Sequence, residues 1–117
     1  MTDSKLQTDE HLSDDVAILT LSGQMLLDDG DLAFRRQIHD VIDRGLTKIV
    51  VDLAGVTYID SSGAGMMAAK LMTVRKAGGD MKLVNLTTKT HRLLSMIKLL
   101  STFEVFDDQP SAVRSFL

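Results

Sequence analysis

Lys48-Ile49-Val50-Val51-Asp52-Leu53-Ala54-Gly55-Val56-Thr57-Tyr58-Ile59-Asp60-Ser61-Ser62-Gly63-Ala64-Gly65 is the stretch on which the fold turns. Its first six residues read as a strand buried on both faces, the kind found in parallel sheets. A loop from Ala54 to Ile59, carrying Val56, Tyr58 and Ile59, is expected next. Asp60-Ser61-Ser62 then has the residue types that start helices, and a helix is expected from about Ser61 to Lys76, ended by Gly78-Gly79.

Outward from this unit the same alternation continues. Toward the amino terminus, the spacing predicts a helix from about Asp31 to Arg44, closed by Gly45, with Leu32, Phe34, Ile38, Val41 and Ile42 as its buried stripe. Before it, Val16-Ala17-Ile18-Leu19-Thr20-Leu21 is strand-like and stopped by Ser22-Gly23. A shorter extended piece is expected between Lys5 and Leu12, turning at Ser13-Asp14-Asp15. Toward the carboxyl terminus come a strand at Met81–Asn85, a helix at Thr88–Leu99, a last strand at Phe103–Phe106 and a short helix at Pro110–Phe116. Strand and helix alternating with short connections predict an α/β domain: a mostly parallel central sheet, an N-terminal antiparallel strand and about four helices. No linker, repeat or low-complexity tract divides it, so residues 1–117 are expected to form one domain, with about 1–10 as a flexible amino-terminal extension.

At 117 residues the chain is long enough to bury about two thirds of the surface it exposes when unfolded. The formal net charge is −3, and Lys and Arg are scattered rather than gathered in a stripe, which argues against direct nucleic-acid binding. There is no cysteine, so disulfides, thiolate catalysis and cysteine-held metals are excluded. Met1 to Asp15 is polar and acidic, unlike a secretory signal, and no run approaches the ~20 apolar residues that span a bilayer. A cytoplasmic location without membrane attachment is the expectation.

The hydroxyls of Ser61 and Ser62 fall where a helix leaves its first backbone N–H groups unpaired. Plain capping by Asp60, Ser61 and Ser62 is one reading, although capping needs only one of them. Gly63 and Gly65 weaken the first turn, so the segment also reads as an accessible surface. A phosphate added to either serine would place nearly two negative charges at the positive end of the helix, where dipole and free N–H groups tolerate them.

Asp60-Ser61-Ser62-Gly63, preceded by Val51-Asp52-Leu53 and Val56-Thr57-Tyr58-Ile59, resembles the phosphorylation motif of STAS domains, in particular bacterial anti-sigma-factor antagonists. The likeness continues through Arg75-Lys76-Ala77-Gly78-Gly79, Leu83-Val84-Asn85, Leu93-Leu94 and the segment from Leu99 to Phe106. The resemblance implies a non-catalytic phosphoprotein in a partner-switching pathway of transcription regulation. Its unphosphorylated form would bind an anti-sigma factor that is also a serine kinase, releasing the sigma factor, and a PP2C-type phosphatase would restore it after phosphorylation. It further implies Ser61 as the phosphoacceptor and Asp60, Ser61, Ser62, Gly63, Gly65 and Met66 as the partner-binding set, with no cofactor. A STAS scaffold of another complex, in lipid transport or a stressosome-like assembly, is the alternative. Two departures stand out: Gly23 is followed by Gln24-Met25-Leu26 rather than by an aspartate three residues on, and Ile97-Lys98-Leu99 stands where the family often has Thr-Gly-Leu.

Other chemistries find less support. Gly63-Ala64-Gly65-Met66-Met67-Ala68 matches the glycine fingerprint of dinucleotide-binding turns, but the expected loop and Asp60-Ser61-Ser62 separate it from its strand. No Gly-x-Ser-x-Gly elbow or Walker loop occurs. His11, His39 and His91 lie in separate segments without ligand spacing, so neither metal ligands nor catalytic residues are assigned. In the helix after the serines, Ala64, Met67, Ala68 and Leu71 form the core stripe. Met66, Ala69 and Met72 lie elsewhere, which leaves core packing and an adaptable binding face both open.

Overall fold

The computed structural model describes residues 6–26 and 29–117. Five strands form one sheet in the order β1-β2-β3-β4-β5: Gln7–Ser13 (β1), Val16–Met25 (β2), Lys48–Ile59 (β3), Asp80–Val84 (β4) and Val105–Phe106 (β5). β1 runs antiparallel to β2, through a hairpin turn that puts Asp14 at a φ of 55°, and all other pairings are parallel. The helices are Asp29–Asp43 (α1), Ser61–Lys76 (α2), Thr88–Met96 (α3) and Gln109–Arg114 (α4). Because spatial order follows chain order, the three strand-helix-strand crossovers have one hand and set α1, α2 and α3 on the same face.

Strand alternation sorts the core accordingly. Ala17, Leu19, Leu21, Ile49, Val51 and Leu53 point to the three-helix face, where Phe34, Ile38, Met67, Leu71, Val74 and Leu94 meet them. Val16, Ile18, Val50 and Val84 point the other way, to Ala112 and Val113 of α4. Two charged residues are buried on that second face. Asp52, only 6% exposed, accepts from the Ala54 backbone N–H, Asn85 Nδ2 and Gln109 Nε2, tying β3 to β4 and α4. Lys82 donates to Ser115 Oγ at 2.6 Å, pairs with Glu104 and lies over the Phe116 ring. With their partners supplied, neither charge is stranded in the apolar layer.

Several expectations need correction. β2 does not stop at Ser22-Gly23, and Ala54 to Ile59 is not a loop: the strands stay paired to Met25 and Ile59 across two register shifts. Gly23 takes a φ of 100° at the second shift, and a Cβ on Gly55 would lie 2.9 Å from the Leu21 carbonyl oxygen, so glycines absorb the bulges. Of the expected amino-terminal extension, residues 1–5 lie outside the described residues, whereas Gln7 to Glu10 pair with β2 and Leu6 is buried. In α1, Leu32 is 38% exposed rather than core. α3 ends at Met96, where the Lys98 and Leu99 N–H groups bond back to Ser95 and Leu94 carbonyls and Lys98 holds a φ of 63°. The last strand keeps only Val105–Phe106, with Phe103 buried ahead of it.

Candidate functional site

β3 delivers the chain to α2 through a single residue, Asp60. Its extended backbone conformation ends the strand, and its Oδ1 accepts the Gly63 N–H at 2.7 Å, satisfying one of the helix's orphan donors. Its own carbonyl accepts the Ala64 N–H, and its N–H reaches back to the Met25 carbonyl at the end of β2. The serine turn is thus bolted to two strand ends.

Ser61 and Ser62 occupy the first two helical positions and are exposed. Their backbone N–H groups have no partner among the described residues. Gly63 is buried: a Cβ there would stand 2.4 Å from the Met25 carbonyl oxygen, so the helix meets β2 at a distance only glycine allows. Gly65 differs, being exposed with open space where a Cβ would go. Met66 is half-buried against the main core, Met67 is fully buried, and Met72 is exposed on the far part of α2. The expected set Asp60, Ser61, Ser62, Gly65 and Met66 is therefore contiguous around the turn, with Gly63 beneath it as packing.

The fingerprint Gly63-Ala64-Gly65-Met66-Met67-Ala68 is not separated from its strand by a loop, contrary to expectation. The strand does run almost directly into the helix, so distance from the strand does not dismiss it. Occupancy does: in a dinucleotide turn the glycines precede the helix and leave their N–H groups to the pyrophosphate. Here Gly63 is the third helical residue and its N–H belongs to Asp60.

Beside the turn, Tyr58 and Ile59 of β3 and Lys89, Arg92, Leu93 and Met96 of α3 line an open groove of about 240 Å³. The sequence reading missed it, although the α3 residues follow i, i+3, i+4, i+7 spacing. The histidines form no cluster among the described residues, and His39 Nε2 lies 3.2 Å from Lys70 Nζ. Among the described residues no group of acidic, histidine or cysteine side chains could hold a metal, and no helix is long and apolar enough to cross a membrane.

Comparison with known proteins places this geometry. The anti-sigma F factor antagonist of Paenibacillus polymyxa is 29% identical over 99 residues, 84% of each chain. A crystal structure from Thermotoga maritima superposes with a TM-score of 0.84 at 26% identity, covering 92% of both chains. Phosphorylated SpoIIAA, a Bacillus cell fate determinant, matches with a TM-score of 0.72 over 95% of this chain and all of that one; at 17% identity this likeness shows the fold alone. The family model described as STAS domain matches residues 7–112, which take in all five strands and the serine turn, and the chain belongs to that family.

Proposed function

We propose that this protein is an anti-sigma-factor antagonist acting by partner switching, with Ser61 as its phosphoacceptor. The observation that carries the reading is the exposed Ser61-Ser62 pair on the first turn of α2, held outward by Asp60 and backed by free N–H groups. The unphosphorylated turn offers a flat, uncharged hydroxyl surface beside one carboxylate, and an anti-sigma factor that is also a serine kinase binds it there, freeing the sigma factor. Asp60, Ser62, Gly65 and Met66 form the rest of that surface.

Transfer of the γ-phosphoryl group from ATP to Ser61 Oγ breaks the β,γ-anhydride bond and releases ADP; with the hydroxyl proton lost to solvent or a kinase base, it leaves a phosphoserine at the helix amino terminus. The N–H groups of Ser61 and Ser62 and the helix dipole stabilise it within the folded protein. In the complex the same dianion meets the nucleotide phosphates of the kinase and must be desolvated, so the partner leaves. A PP2C-type phosphatase reverses the change. This chain is the substrate in both reactions and contributes no catalytic group.

The test is incubation with a serine kinase of the anti-sigma type from the same genome, with ATP, followed by fragment mass spectrometry. Phosphate is expected on Ser61; Ser61→Ala abolishes it and Ser62→Ala retains it. Phosphate on Ser62 alone would move the acceptor by one residue, and no transfer to either would remove the reading.

A further inference from the structure

The groove beside the serine turn has an electrostatic character opposite to that of the chain. No acidic residue occurs between Asp80 and Glu104, a stretch containing Lys82, Lys89, Arg92 and Lys98, in a protein of formal net charge −3. Lys82 is turned inward to Glu104 and Ser115. Lys89 and Arg92 instead lie at the groove without an ion-pair partner among the described residues, one turn apart on α3. Like charges at that spacing disfavour an isolated helix. Between and below them the lining is apolar: Leu93 and Ile59 form the floor, Tyr58 is 49% exposed and Met96 71% exposed. Large apolar side chains left open beside unpaired cations have the makeup of an interface lacking its other half.

We infer that this groove receives an acidic segment of the protein partner, one or two apolar side chains flanked by carboxylates. The apolar side chains lie against Tyr58, Leu93 and Met96, and the carboxylates pair with Lys89 and Arg92. Because Ile59 of the groove is followed directly by Asp60, a partner covering the serine turn reaches the groove without leaving the surface. The inference rests on the proposed function in taking that partner to be the protein that reads Ser61. Methionine and tyrosine provide adaptable area, while the cations fix orientation and speed encounter. A second contact away from the serine also explains how a kinase would hold a substrate whose acceptor turn is small.

The experiment has two arms. In the first, the isotope-labelled protein is titrated with a short peptide in which a leucine and a phenylalanine are flanked by glutamates, with its glutamate-to-lysine counterpart, and with oligothymidylate. Saturable amide shifts confined to Tyr58, Lys89, Arg92, Leu93 and Met96 are expected with the acidic peptide only, weakening as salt rises and about tenfold weaker in the Lys89→Glu, Arg92→Glu double variant. Absence of shifts, shifts elsewhere, or preference for the lysine peptide or the oligonucleotide overturns the inference. In the second arm, the double variant is offered to the kinase: KM for the protein rises about tenfold with kcat unchanged, since the acceptor turn is intact. An unchanged KM overturns the inference even if Ser61 is phosphorylated; failure of the kinase to modify the unaltered protein removes the proposed function and leaves the peptide arm to decide the groove. Arg92→Gln with a circular-dichroism melt separates loss of charge from loss of fold.

Discussion

Two residues apart in the chain, two glycine-to-alanine substitutions should have opposite signs. Gly63→Ala drives a Cβ to 2.4 Å from the Met25 carbonyl oxygen, which belongs to a paired strand and cannot yield cheaply, so a loss of about 1–3 kcal/mol is expected. Gly65→Ala meets open space in an exposed helical position and should gain about 0.5–1 kcal/mol from a stiffer unfolded chain and better helix propensity. Denaturant melts of both variants check the pair, and equal signs would contradict the packing described. Lys98 makes a similar point: it sits left-handed at the end of α3 where a glycine would carry no Cβ penalty, so Lys98→Gly should stabilise by about 0.5–1 kcal/mol. That departure was legible in Ile97-Lys98-Leu99. The role of Gly63 was not, because its reason lies in Met25, a residue far away in the chain.

Helices and strands were legible to different depths. α2 was marked at both ends, by Asp60 and by Gly78-Gly79; of its expected core stripe, Ala64, Met67 and Leu71 are buried and Ala68 is half-buried against the core. The second half of β3 was not legible, since Ala54, Gly55, Thr57 and Tyr58 are exposed and break the apolar run that marks the first half. What keeps it a strand is pairing with Ser22 to Met25 across bulges, together with Thr57 Oγ1 donating to the Gly23 carbonyl, and no local pattern encodes a register. α4 offers a pH-dependent test. Asp108 accepts the Ser111 N–H at 2.8 Å, which holds its carboxyl below the usual aspartate range. A lowered folded-state pKa means that the cap's contribution is full above the ordinary aspartate value and is lost as pH falls through the lowered one. The Ser111 amide, followed by NMR on acidification, should titrate with a midpoint below that of an unstructured aspartate; a midpoint at or above it would show that the cap does not hold.

At the scale of the whole molecule, phosphorylation should change what the protein binds and not how it folds. A helix amino terminus takes negative charge without rearrangement, so amide shifts on phosphorylation are expected around Asp60 to Ala68 and not through the sheet. Affinity for the kinase should fall by about 2–5 kcal/mol, the cost of an uncompensated charge in an interface. Calorimetry with enzymatically phosphorylated protein measures this, with Ser61→Ala expected to bind well and Ser61→Asp weakly. Equal affinities for the modified and unmodified forms would remove the electrostatic account. The strand order β1-β2-β3-β4-β5 has a bearing on synthesis as well. Every strand lies beside the one made just before it, so a chain emerging from the ribosome never has to reopen a finished sheet to insert a later piece. A nascent fragment ending at Lys76 already contains β2, β3 and α2, and with them every residue that builds the serine turn, while the β3 edge that will receive β4 over Lys48 to Asp52 is still bare. Newly made copies therefore pass through a stage in which the serine turn is complete but an apolar strand edge is open, exposed to edge-to-edge pairing until β4 covers it.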